Sequence, residues 1–169
     1  MSLAMGWDEW AAQDAVGLAA LVRQGEVTPA ELAAQAAAAV ARVNPALQAV
    51  VEVFDDVVAD PLRDGMNPNG PLAGVPFFMK DLGPTVKGRL QEMGSLFMRG
   101  HRPEADAFLT GQIRRAGLNI IGRTTTPEFG VCSSAENPAV YVTRNPWNLD
   151  YTTCGSSAGT ASHPRSRGR

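Results

Sequence analysis

Cysteine and histidine are scarce in this chain of 169 residues, with two of each. Cys132 and Cys154 form no CxxC pair, and two histidines do not complete a zinc set, so no metal site is expected. Free cytosolic thiols are the expected state of both cysteines. Long apolar runs are missing too. No stretch approaches the roughly 18 uninterrupted apolar residues of a membrane-spanning helix. Residues 1–10 lack the basic-then-apolar order of a secretory signal, so the cytoplasm is the expected location. Nor is there a marked excess of one charge. A formal net charge of -2 gives no reason to expect nucleic acid or an anionic membrane as partner. No internal repeat occurs. What is present, 44% hydrophobic and 19% charged residues, fits a globular domain with a core rather than a disordered chain.

Periodicity and punctuation divide the chain into alternating elements. Residues 11–24 read as an amphipathic helix, with Leu18, Leu21 and Val22 on one face and Gly25 as its stop. Thr28, Pro29 and Glu31 form a capping box with proline at the first helical position, predicting a helix over 29–43 that ends at Asn44-Pro45. Its face of Ala33, Ala36, Ala37 and Val40 is small and suits close packing. The runs 48–54, 74–80 and 118–121 read as strands buried on both faces. A short helix is expected over 57–62, mostly loop over 83–103, a helix over 104–116 ended by Gly117, and another short helix from Thr126-Pro127-Glu128. Residues 130–153 read as extended loop, with turns at Asn137-Pro138 and Asn145-Pro146. Alternating helices and strands predict an α/β architecture, a mixed sheet flanked by helices.

Two features carry candidate chemistry. Lys80 closes the apolar run Val75-Pro76-Phe77-Phe78-Met79, and burial there disfavours its charged form. Far along the chain, Gly155-Ser156-Ser157-Ala158-Gly159 presents two adjacent hydroxyls on a small-residue loop. Together they hold the ingredients of a Ser–Lys acyl-transfer site. The pentapeptide also satisfies the G-x-S-x-G elbow of serine hydrolases. That alternative needs a strong strand before Ser157 and an acid and a histidine after it, whereas residues 148–154 make a poor buried strand and no acid follows Asp150. His163 is the sole later histidine. A phosphate-binding loop is excluded, because Gly159-Thr160-Ala161 lacks the required lysine. A plain flexible connector remains the simplest reading of the five residues alone.

Three longer blocks change that balance. Residues 70–82 (GPLAGVPFFMKDL), 115–130 (RAGLNIIGRTTTPEFG) and 143–150 (TRNPWNLD) occur in this order ahead of the Gly/Ser loop. In sequence and order they resemble the amidase signature family over roughly residues 11–160, and among its members the bacterial nylon-oligomer cyclic-dimer hydrolases. The resemblance implies the N-terminal part of an amidase-signature domain and hydrolysis of a carboxylic amide in a small-molecule substrate, without metal or organic cofactor. It implies Lys80 as general base, Ser156 as the proton-relaying serine with a cis peptide, and Ser157 as a supporting hydroxyl. The family's nucleophilic serine and oxyanion donors would fall past Arg169, so a silent fragment is expected, with a non-enzymatic binding module as alternative. Against the family pattern, Cys154 and Ala158 stand where glycine is usual, and Thr125 where asparagine is common. Residues 1–160 are thus expected to form a partial domain. Residues 161–169, with three arginines and no acid, read as a basic tail foreign to the family, a frame change or truncation.

Overall fold

A computed structural model describes residues 3–162. Two short helices open the chain where one was expected: α1 (Trp7–Ala12) and α2 (Ala15–Gln24). The break falls at Gln13-Asp14, because the Asp14 carboxylate accepts from the Gly17 N–H at 2.7 Å and so starts a helix of its own. Helix α3 (Pro29–Leu47) begins with the expected capping box, Glu31 N–H to Thr28 Oγ1 at 3.2 Å and Thr28 N–H to Glu31 Oε2 at 2.8 Å. It runs four residues past the expected end. Proline sits in its last turn, and Asn44 finishes the helix instead, its Oδ1 accepting from Ala49 and Val50 N–H at 2.8 Å each. Buried Gln35 exchanges two bonds with the Met5 backbone and so fastens the N-terminal segment to α3.

Strand β1 (Val50–Val53) is followed by α4 (Asp55–Ala59), then by β2 (Pro76–Lys80). Helix α5 (Phe108–Arg115) leads into β3 (Asn119–Thr124) through a tight turn. The sheet order is β1-β3-β2, with β1 antiparallel and β2 parallel to β3, so the expected mixed α/β sheet is present. Only β3 is buried along its whole length; β1 and β2, at the sheet edges among the described residues, are half-buried. The expectation of three doubly buried strands therefore holds for one. Apolar side chains from α3 (Ala33, Ala36), α4 (Val57), β2 (Met79) and β3 (Ile120, Ile121) close the main core.

Helix α5 starts at Phe108 rather than at 104. Pro103 and Ala105 carbonyls accept from Gly88 N–H and Thr85 Oγ1, and the Ala107 N–H donates to Thr85 carbonyl. Bonds to the 85–88 segment occupy the groups that an earlier helical turn would need. The expected loop over 130–153 contains two hairpins, β4 (Glu136–Asn137) with β5 (Tyr141–Val142) and β6 (Arg144–Asn145) with β7 (Asn148–Thr152). Their turns are the anticipated ones, each held by an asparagine side chain: Asn137 Oδ1 accepts from Ala139 N–H and Asn145 Oδ1 from Trp147 N–H. Glu128–Gly130 is a single turn with Phe129 at a left-handed φ of 50°, and α6 (Ala158–Ser162) ends the described chain. Ala161 and Ser162 thus belong to a helix rather than to a tail; the remainder of the expected tail, 163–169, lies outside the described residues.

The charged centre of the fold is Arg123 on β3. Its guanidinium donates to Glu52 at 2.9 Å, Asp81 at 2.7 Å and Glu92 at 2.7 Å. Burial works against its charge, yet the bonds to Glu92, Asp81 and Glu52 outweigh that and raise its pKa. Asp81 is itself buried and also accepts from Glu92 and Gly94 N–H. Replacing Arg123 with Met would strand a buried carboxylate. We expect this to cost about 3–5 kcal/mol, read as a lowered urea midpoint, with Arg123→Lys recovering part of it. An unchanged midpoint for Arg123→Met would show that Asp81 is rehydrated at no cost.

Candidate active site

Lys80 is the last residue of β2, paired in register with Thr124 of β3, and the Asp81 N–H donates to Thr124 carbonyl at 3.0 Å. The strand thereby fixes where the lysine stem starts, and the buried Asp81–Arg123 pair fixes where the strand stops. Lys80 Nζ lies 2.7 Å from Ser156 Oγ, a contact across 76 residues of chain. Partial burial lowers the lysine pKa below the ordinary range, since desolvation penalises an ammonium more than an amine.

The loop bearing Ser156 rests on the end of β3 and the residues after it. Thr126 Oγ1 donates to Ser156 carbonyl at 3.3 Å, Gly159 N–H to Thr125 carbonyl at 3.3 Å, and Thr124 and Thr160 hydroxyls lie 3.2 Å apart. The Gly155–Ser156 peptide is cis, at the serine to which the resemblance assigns one. Ser157 takes no part in this arrangement. Its hydroxyl is exposed and makes no hydrogen bond among the described residues; its carbonyl accepts from Ala161 N–H within α6. Among the described residues no hydrogen bond joins Ser157 Oγ to the lysine. Strand β7, which precedes the loop, is exposed rather than the buried strand that an elbow at Ser157 needs, and His163 lies outside the described residues. Cys132 and Cys154 are free and exposed. Among the described residues no group of three His, Cys, Asp or Glu side chains could hold a metal, and no helix is long and apolar enough to cross a membrane.

The structure accommodates Ala158, which stands where glycine is usual in the family pattern. Ala158 is fully buried and its Cβ is accommodated. Gly159 is the position that requires a bare backbone, because a Cβ there would land on Ala49 carbonyl oxygen and 2.6 Å from Thr125 N. Several contributors escaped sequence reading. Arg123, Thr124 and Thr126 are buried polar residues beyond an apolar run, where periodicity marks no core, and Thr125, noted only as a departure from the family pattern, is buried with them.

Comparison with known protein families matches residues 31–163 to the family described as Amidase. The chain belongs to the amidase family. It is 38% identical over 156 residues to the 6-aminohexanoate-cyclic-dimer hydrolase of Paenarthrobacter ureafaciens, a match covering 90% of this chain and 30% of that protein. It is 37% identical over 156 residues to the 6-aminohexanoate-cyclic-dimer hydrolase of Pseudomonas sp. (strain NK87), again covering 90% of this chain and 30% of the relative. A solved 6-aminohexanoate cyclic dimer hydrolase superposes with a TM-score of 0.81 at 36% identity, covering 90% of this chain and 31% of that one. A bacterial aryl acylamidase gives a TM-score of 0.80 at 27% identity, covering 89% and 32%. The chain thus spans about 30% of the length of the curated relatives it matches.

Two outcomes follow from this geometry. The folded chain holds fewer protons on Lys80 than the unfolded chain between its lowered pKa and the ordinary lysine value, so stability should rise with pH across that window. Lys80→Met should flatten this rise in urea midpoints between neutral and alkaline pH; an unaltered slope would place the linkage elsewhere. Cys154 has a φ of 59°, a left-handed backbone that glycine adopts without a Cβ clash. Cys154→Gly should therefore stabilise by up to about 1 kcal/mol, after the larger unfolded-state entropy of glycine is subtracted. A destabilised variant would show that the thiol itself contributes to packing.

Proposed function

We propose that this chain supplies the base and relay of an amide-hydrolysing site, with Lys80 as general base and Ser156 as proton relay. The 2.7 Å contact between Lys80 Nζ and Ser156 Oγ, formed within a chain of the amidase family, is the observation that carries this reading. A neutral amine accepts the Ser156 proton, while Ser156 Oγ takes one from an attacking hydroxyl. Both protons move in one direction, and no charge is left on the intervening oxygen. The burial that lowers the Lys80 pKa raises the share of amine available as base near neutral pH. When the leaving nitrogen departs, the same pair returns a proton to it, so one lysine serves both halves of acyl transfer.

A nucleophilic serine and backbone donors for the oxyanion complete such a site in the resemblance. Base and relay without them form no acyl-enzyme. A carboxylic amide of a small molecule is the proposed substrate class for the complete site, in line with the cyclic-dimer hydrolases that the chain is similar to.

A chimera tests this assignment: residues 1–160 joined to the part of the Paenarthrobacter ureafaciens hydrolase that follows the matched region. We expect amide hydrolysis by the chimera, lowered about 10²–10⁴-fold in kcat/KM by Lys80→Met or Ser156→Ala. Fluorophosphonate should leave Ser156 and Ser157 unmodified, because a relay and a supporting hydroxyl are not the nucleophile. Full activity in Lys80→Met would reject the base assignment, and a stoichiometric adduct on Ser157 would favour an elbow nucleophile instead.

A further inference from the structure

The site contains a residue that neither the family resemblance nor the lysine–serine contact brings into view. Tyr141, on β5, is half-buried, and its hydroxyl makes two bonds to one residue. Tyr141 Oη donates to the Thr126 carbonyl at 2.7 Å and accepts from the Thr126 N–H at 3.0 Å. Both backbone groups of Thr126 are thereby held by a single oxygen, in place of a strand partner. Thr126 is wholly buried, and its side chain spends its one proton on the Ser156 carbonyl at 3.3 Å. Pro127, next in the chain, lies with its Cγ 3.0 Å from where a Cβ on Gly155 would stand. The backbone that Tyr141 grips is therefore the floor on which Gly155 and Ser156 rest.

The surroundings show that this grip is built in. Gly94 has a φ of 64°, and a Cβ there would lie 2.5 Å from the Thr126 carbonyl oxygen and 2.8 Å from Tyr141 Oη. Only glycine leaves room for the tyrosine to reach its partner. Asn137 Nδ2 donates to Gly94 carbonyl at 3.3 Å and ties the β4–β5 hairpin to that glycine. Burial pushes the Tyr141 phenol up to about 12, so it keeps the proton it donates throughout the neutral range. Charged groups around the phenol are Asp81 and Glu92, each paired with Arg123, and Arg99, which lines the same small cavity as Tyr141.

We propose that Tyr141 is a positioning residue of the site, acting through Thr126 to hold Ser156 against Lys80. This inference rests on the base-and-relay reading of that pair. A phenylalanine at 141 keeps the ring but leaves Thr126 N–H and carbonyl without their shared partner. The segment under Ser156 then loosens, water reaches the lysine amine, and its ammonium form regains solvation. Lys80 should consequently titrate at higher pH.

The test uses the 169-residue chain labelled with ¹³C at lysine Cε. It contains only two lysines, Lys80 and Lys87, and Lys87→Arg assigns the signals. In the native chain Lys80 is expected to titrate below the ordinary lysine range. Tyr141→Phe and Thr126→Val should each raise that titration by about half a pH unit or more, and Thr126→Ser, which keeps the hydroxyl, should restore it. Urea midpoints are measured alongside, because a merely structural tyrosine would lower the midpoint and leave Lys80 of the folded chain where it was. An unmoved Lys80 in folded Tyr141→Phe and Thr126→Val overturns the inference. Should Tyr141→Phe fail to fold, an unmoved Lys80 in Thr126→Val overturns the inference alone, because the tyrosine acts through that residue. A native Lys80 that titrates in the ordinary range rejects the base assignment and the inference with it.

Discussion

One buried guanidinium organises the described fold. Arg123 gathers Glu52 from β1, Asp81 from the end of β2, and Glu92 from the segment beyond it. A charge in that position tolerates no partial solution, because each carboxylate that drifts away leaves an imbalance in a poorly hydrated interior. Three elements therefore converge on one side chain of the central strand. Asp81 is the next residue after Lys80, so the same constraint stops β2 at the lysine and leaves its stem pointing from a fixed origin. Net stability need not increase through such a cluster. Its physical effect is to make alternative registers of β2 costly.

The stretch after Arg123 does a second job with neutral groups. Thr124, Thr125 and Thr126 each direct a hydroxyl or backbone atom toward the 155–160 loop or its supports. Thr125 Oγ1 meets Thr143 Oγ1 at 2.7 Å, and Thr143 passes its proton to Gln48 carbonyl at 3.0 Å. Such chains of small hydroxyls hold a loop closely and satisfy every partner without adding charge beside a lysine that must shed one. Gly159 completes the contact by letting α6 approach the turn before β1 at backbone distance. Ser156 is thus set by sheet geometry, although it stands on a loop.

Much of this was legible in the residues. The Thr28/Glu31 box, Gly25 and Gly117 stops, and the asparagine turns at 137 and 145 are local devices whose partners lie within a few positions. Where the reading and the structure part, a distant partner usually intervenes. Asp14, a local cap that splits the first helix, and Asn44, which finishes α3 through Ala49 and Val50, are exceptions, whereas the late start of α5 follows from bonds to the 85–88 segment. The two short hairpins carry too little alternation to register as strands. β3 continues past its apolar half because Arg123 and Thr124 find polar partners inside, something no hydrophobic period reports.

The sequence alone determined the family, through three ordered blocks, and with it the mixed α/β architecture and the two residues worth watching, Lys80 and Ser156. Those follow from residue identity and spacing, which a chain carries whether or not it is folded. Tertiary structure decided which hydroxyl of the serine pair meets the lysine and which lies in solvent. It also decided that Ala158 fits while Gly159 must stay bare, and that Tyr141 reaches Thr126. These outcomes depend on distances between segments far apart in the chain, set by strand register and by the pairing of buried polar groups. Only the folded chain contains them.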